Sequence, residues 1–260
     1  MKLLLYTILN ILAFQFSSHA QDTINHIPDT SKSAHNSESK DNRKPLIISY
    51  AAPALLLSYG LMSLENKPIR RLDKYISYDV LGTNTNFTTE VDDYFRYLPV
   101  IVVYSLNAFG IKGKSNFIDR SALYLISNLL LSKSVDFLKD KTQRMRPSNT
   151  DSRAFPSGHA ALAFGAAEFM RLEYKDVSPW YGYAAYAAAA TTGAIKIIEN
   201  AHWLSDVLAG AGVGILSTRV AYYVYPIGKE ILGRKKDLEF HSVPFIGNGF
   251  VGASLMVTFN

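Results

Sequence analysis

The chain has 260 residues and a mass of 28.9 kDa, enough for one domain with its own core, so collagen-like, coiled-coil and wholly disordered classes are excluded. It is 48% hydrophobic and 19% charged, below the roughly 25% charged residues of an average soluble domain, yet a mean hydropathy of +0.03 is low for a chain made mostly of membrane helix. Cysteine is absent, which removes disulfides, thiolate metal sites and cysteine nucleophiles, and the net charge of +5 suits an anionic partner whose nature only the placement of the charges can decide.

In chain order, residues 1–20 read as a secretory signal peptide: Lys2, an apolar run from Leu3 to Phe16, then Ser18-His19-Ala20 with small residues where a signal peptidase cuts. Residues 21–45 are polar, rich in Ser, Asn, Asp and Lys, and read as a disordered linker. Residues 46–228 hold a series of apolar stretches. Pro45 to Leu64 is long enough to span a bilayer, with Pro53 as an expected kink, whereas Tyr97 to Ile111 is short for a span. Glu65 to Arg96 reads as loop plus a short interfacial helix. Further helices are expected over Ser121 to Leu138, His159 to Met170, Pro179 to Ile198 and Trp203 to Ile227, several carrying charges such as Glu168, Asp206 and Arg219. The predicted fold is an all-α bundle of five or six helices. Residues 229–260 form a basic stretch, Lys229 to Lys236, and a β-like tail in which Val251, Ala253, Leu255, Val257 and Phe259 alternate after a Gly247-Asn248-Gly249 turn. The tail is expected to pack on the helical domain.

Of six histidines, only His159 and His202 fall in the helical region. His202 and Asp206 are four apart, the spacing of one helix face. A carboxylate there would accept the imidazole Nδ1–H and leave Nε2 as a free lone pair, the wiring of a nucleophile or base. The plain alternative is a surface pair worth a few tenths of a kcal/mol. Ser157 is a good N-cap for the run that follows it. Gly158 lets backbone come close, so this helix start offers N–H groups to an anion with His159 beside it. An ordinary cap explains the same residues. Upstream, Lys139 to Pro147 gathers cations where a helix is expected to stop at Pro147. Lys and Arg there suit a phosphate clamp, although Lys141 and Arg144 read equally well as a solvated loop or a positive-inside signal.

The order Lys139, six residues, Arg146-Pro147, then Pro156-Ser157-Gly158-His159, then His202, three residues, Asp206 resembles the type 2 phosphatidic acid phosphatase and vanadium haloperoxidase superfamily over roughly Leu46 to Ile227. The third motif of that family usually begins Ser-Arg, and here Ile195 and Lys196 stand in those places; a lysine keeps the charge and loses the bidentate fork. The resemblance implies that His202 attacks phosphorus to form a phosphohistidine, that Asp206 orients it, and that His159 protonates the leaving oxygen and later activates water. It further implies that Lys139, Arg146, Lys196, Ser157 and Gly158 hold the phosphate oxygens, with no metal or cofactor and with inhibition by vanadate.

The expected substrate is a phosphorylated lipid, a monoester or diphosphate, at a membrane; nucleic acid is not an expected partner. Lys112, Lys114, Arg120, Arg171, Lys175 and Lys229 lie on connections opposite the site. If the helices cross, the positive-inside rule therefore puts the site in the periplasm. A cleaved signal followed by crossings at 45–64, 97–111 and 121–138 would instead bring Lys139 inside, so either one early stretch does not cross, or the signal does not translocate, or the bundle is not transmembrane. The alternative functions are a soluble periplasmic acid phosphatase, a haloperoxidase, and a non-catalytic envelope protein that binds anionic lipid.

Overall fold

The computed structural model describes residues 43–81, 89–233, 238–247 and 250–259; the expected signal peptide and nearly all of the linker lie outside these residues. The described residues form eight α-helices: α1 (Arg43–Ser63), α2 (Lys67–Lys74), α3 (Val91–Phe95), α4 (Leu98–Ala108), α5 (Phe117–Thr142), α6 (Gly158–Tyr174), α7 (Pro179–Ile198) and α8 (Leu204–Gly233). A π-helical turn, Tyr75–Val80, continues α2. The segment expected to be loop with a short helix thus holds α2, the π turn and α3. The β-like tail forms strands β1 (Leu238–Gly247) and β2 (Phe250–Phe259), paired antiparallel with Leu238 opposite Phe259 and Gly247 opposite Phe250. The expected turn residues Asn248 and Gly249 lie outside the described residues.

Local chemistry sets the helix ends. Asn66, Asn116, Ser157 and Ser178 each cap a helix, their side chains accepting N–H bonds from Ile69, Asp119, Ala160 and Trp180. The cation-bearing helix α5 does not run on to Pro147 as expected. It ends at Thr142, because Gln143 turns into the left-handed region (φ 42°) and its N–H bonds back to the Lys139 carbonyl, a C-terminal αL cap. That early stop frees residues 143–157 to fold across the bundle end. The short α4 has 11 residues, about 16 Å of helix against a hydrocarbon core of about 30 Å, which removes it from the stretches able to cross.

The core sits where α6 meets α7 and α8. Ala163, Ala167, Phe169, Met170 and Tyr174 of α6 are buried with Val103 of α4 and with Ala185 and Ala189 of α7. Helices α6 and α8 approach closely along a ridge of small residues spaced by four: a side-chain carbon on Gly210 would collide with the Ser157 carbonyl, and one on Gly214 with the Ala161 carbonyl. One turn on, the Thr218 hydroxyl donates to the Gly165 carbonyl at 3.2 Å. The opposite face of α8 meets α1, where Gly212 lies against Pro53 and Leu57. The charges inside the helices are paired. Glu168 accepts from Arg171 at 2.7 Å and Arg219 at 2.6 Å, and Glu173 from Arg120 at 3.1 Å and Tyr222 at 2.6 Å. These pairs stand nine and fourteen residues down α6 from His159, roughly 13 and 21 Å along its axis, so the other end of the bundle is left to the site.

Candidate active site

Three connections converge at one end of the bundle: 143–157 between α5 and α6, 199–203 between α7 and α8, and the 89–97 segment that carries α3. His202 lies in the second of these, before α8 begins at Leu204, so the helical i,i+4 stacking expected with Asp206 does not form. Its buried imidazole is fixed instead by the Ala154 carbonyl, 2.7 Å from Nδ1, while the Asp206 carboxylate stands at 3.9 Å. A carbonyl can only accept, so Nδ1 carries the proton and Nε2 keeps a lone pair. The His202 backbone N–H donates to the Lys196 carbonyl at 3.1 Å, which ties the histidine to the end of α7.

Asp206, fully buried, holds the connection together. One carboxylate oxygen accepts the Trp203 N–H at 2.9 Å, and the other meets Arg144 at 2.8 Å. Arg144 is a buried node and neither of the solvent-facing readings its sequence context suggested: it also reaches Asp73 at 2.7 Å, Ser205 at 2.8 Å and Ser63 at 3.0 Å. Asp73 completes the node by accepting from the Ser205 N–H at 3.0 Å and the Ser205 hydroxyl at 2.6 Å. Neither Arg144 nor Asp73 stands out in the sequence as a site-building residue, because the ion pair between them links positions 71 residues apart.

Ser157 caps α6, and its N–H donates to the Asp206 carbonyl at 3.0 Å, so the start of α6 and the His202 connection are held as one unit. Gly158 and His159 supply the first N–H groups of the helix, which lie outside the intrahelical pattern. A side-chain carbon on Gly158 would meet only Val135, at 3.9 Å; packing does not require glycine there. Lys139, half-buried at the end of α5, donates to the Arg153 carbonyl at 2.5 Å. Arg146 donates to the Ala201 carbonyl at 3.2 Å and pairs with Asp151 at 2.8 Å. The fifth expected phosphate contact, Lys196, bonds two carboxylates, Asp92 and Glu199, each at 2.8 Å.

His159 faces the 89–97 segment: Nε2 is 3.4 Å from Asp93 Oδ1 and 3.8 Å from the buried Asp92. Three acceptors so close can hold a cation, but Lys196 already meets Asp92 and Arg96 already meets Asp93 at 2.9 Å. Asp92, Asp93 and Arg96 belong to none of the three motifs, and only the charged cluster in a segment read as loop marks them in the sequence. Burial lowers the pKa of His159 to about 4, and the nearby Lys196 and Arg96 charges push the same way. Burial lowers that of His202 too, against the opposing pull of Asp206. Both imidazoles are neutral at pH 7.

Residues 121–229 match the PAP2 superfamily. The chain is 37% identical over 140 residues to a Lipid A 1-phosphatase of Porphyromonas gingivalis, an alignment covering 54% of this chain and 32% of that protein; the chain thus spans about a third of that relative's length. Two solved structures overlap in part. One is LpxE of Aquifex aeolicus, with 19% identity, 59% of this chain and 94% of that one covered, and a TM-score of 0.42. The other is a transmembrane PAP2-type phosphatidylglycerolphosphate phosphatase of Bacillus subtilis, with 17% identity, 68% and 96% covered, and a TM-score of 0.45. The segment that matches the PAP2 superfamily contains all three motifs and every expected site residue from Lys139 to Asp206.

Proposed function

We propose that the protein is a membrane-associated phosphatase that hydrolyses a lipid phosphate monoester or diphosphate through a phosphohistidine at His202, with its site on the periplasmic side. The observation that carries this reading is the state of His202: buried, neutral, with Nδ1 fixed on Ala154 and Nε2 left as the nucleophilic atom. In the proposed reaction Nε2 attacks phosphorus, the ester P–O bond breaks, and His159 gives its proton to the leaving oxygen. Water then attacks phosphorus while His159 takes its proton, the P–N bond breaks with its electron pair returning to His202 Nε2, and inorganic phosphate leaves. Lys139, Arg146, Lys196 and the N–H groups at the start of α6 would meet the negative charge on the non-bridging oxygens; Lys196, with two of its three ammonium donors on Asp92 and Glu199, has one left to offer. No step calls for a metal or cofactor.

Support for a lipid substrate comes from the relative named Lipid A 1-phosphatase and from the apolar surface. Leu125, Leu129 and Phe137 of α5 and Tyr223 and Val224 of α8 are exposed. Helix Leu204–Glu230 is long and apolar enough to cross a membrane by length and composition, although 61% of its apolar window is buried within the fold. Periplasmic placement rests on Lys112, Lys114 and Lys175 in the connections opposite the site; Arg120, Arg171 and Lys229 of the expected set lie inside α5, α6 and α8, with Arg120 and Arg171 paired to glutamates. It also fits α4 as the early stretch that does not cross. The domain limits carried into this reading are a signal peptide over 1–20, a linker over 21–45, the catalytic domain over 46–228 and the tail over 229–260. The test is to incubate the full chain with a lipid carrying ³²P in its phosphate, quench with base and look for label on protein. The reading expects an acid-labile, base-stable label on the wild type and none on His202→Ala; equal label on both overturns the assignment of the nucleophile.

A further inference from the structure

We propose that Arg96 is a substrate-binding residue, and that its guanidinium grips the phosphoryl group beside His159. The proposal rests on the phosphatase reading above and adds a residue that lies outside the segment matching the superfamily. Three observations carry it. First, Arg96 and His159 share an atom: Asp93 Oδ1 is 2.9 Å from Arg96 Nη2 and 3.4 Å from His159 Nε2, which puts the guanidinium next to the imidazole expected to serve the leaving group. Second, Arg96 Nε is buried and has no hydrogen-bond partner among the described residues, a state that costs free energy unless an acceptor is supplied. Third, the cation expected in this corner, Lys196, has its ammonium on Asp92 and Glu199.

The guanidinium is held in place. It packs 4.9 Å over the Tyr97 ring, a cation–π contact. Its segment is fixed to α7 by the Asp92–Lys196 pair and by the Thr89 N–H, which donates to Glu199 at 3.0 Å. Arginine presents five donors in a planar fork. One edge can stay on Asp93 while Nε–H donates to a phosphoryl oxygen once the side chains that cover it part. The same charge depresses the His159 proton affinity. A bound phosphate dianion screens it and lets His159 take up the proton it must deliver.

The experiment measures inhibition by orthovanadate and by inorganic phosphate, with kcat and KM on detergent-solubilised phosphatidic acid, for wild type, Arg96→Ala, Arg96→Lys and Asp93→Asn. A charge-assisted hydrogen bond of about 1.5–3 kcal/mol predicts that Arg96→Ala weakens vanadate and phosphate binding about 10- to 100-fold and raises KM. Arg96→Lys, which keeps the charge and loses the fork, falls between, and it serves as the test if the alanine variant does not fold. Asp93→Asn removes a negative charge from the corner and is expected to bind vanadate at least as tightly as wild type. Vanadate binding within twofold of wild type in Arg96→Ala overturns the proposal. So does a loss of equal size in Asp93→Asn, which would mark the two residues as a structural pair only. A wild type that neither releases phosphate nor binds vanadate overturns the phosphatase reading itself, and Arg96 with it.

Discussion

Burial sets the proton inventory of the site. His202 and His159 both lose proton affinity because the fold takes their charged forms out of water, so the proposed nucleophile is ready at neutral pH while the proposed acid is not. In the proposed reaction the proton that His159 delivers must therefore arrive with the substrate, either on a phosphate monoanion or by uptake as the dianion binds. The same shift links stability to pH. The unfolded chain protonates His159 below about 6.5 and the folded chain only near 4, so this contribution to stability is fully present above pH 6.5 and is lost as pH falls towards 4. Thermal melts should show the wild-type Tm dropping more steeply than that of His159→Asn between pH 6.5 and 4.5; parallel curves would contradict the assigned shift. The motif residues at this scale were legible in the sequence because their chemistry is local: a serine cap, a glycine, a histidine in the first turn. Arg144, Asp73 and Asp92 were not, since each works through a partner that only the tertiary fold brings near.

At the scale of elements, the site is positioned by how closely α6 and α8 pack. Ser157, Ala161 and Gly165 on one helix face Gly210, Gly214 and Thr218 on the other, and the top contact of this ridge is the carbonyl of the residue that caps α6. Glycine inside a helix costs roughly 0.5–1 kcal/mol relative to alanine, a cost that close approach here offsets. Gly214→Ala should push the helices apart, lowering Tm by several degrees through overpacking of about 1–3 kcal/mol and reducing phosphatase activity. Gly228→Ala, where nothing lies within 4 Å, should leave both unchanged or raise Tm slightly. Equal effects of the two substitutions would show that the ridge does not set the site. The long helices could be read from apolar runs and caps, and Pro179–Ile198 came out as expected. The end of α5 could not, because a glutamine in the left-handed region carries no strong sequence signal, unlike a proline. The short α2 and α3 were hidden for the same reason: tertiary contacts such as Arg144–Asp73 and Lys196–Asp92 hold them more than their own patterns do.

For the molecule as a whole, polarity is divided by region. Buried ion pairs of Glu168 and Glu173 occupy the middle and far end of the bundle, the proposed catalytic groups gather at the near end, and apolar side chains of α5 and α8 face outward between them. The arrangement suits a lipid whose chains lie along the helices while its phosphate reaches the near end. The all-α class was legible in composition and periodicity. The course of the chain relative to a membrane was not, because apolar runs mark possible crossings without fixing their number, even though Tyr97 to Ile111 already reads as short for a span. The central claim is that His202 carries lipid phosphate hydrolysis. Its most direct test is inorganic phosphate release by purified full-length wild type and His202→Ala, on a detergent-solubilised phospholipid phosphate and on a small soluble phosphate ester. The account predicts release from the lipid that exceeds release from the soluble ester and falls at least about a thousandfold in the variant; undiminished release by His202→Ala, or no release from the lipid by the wild type, would contradict it.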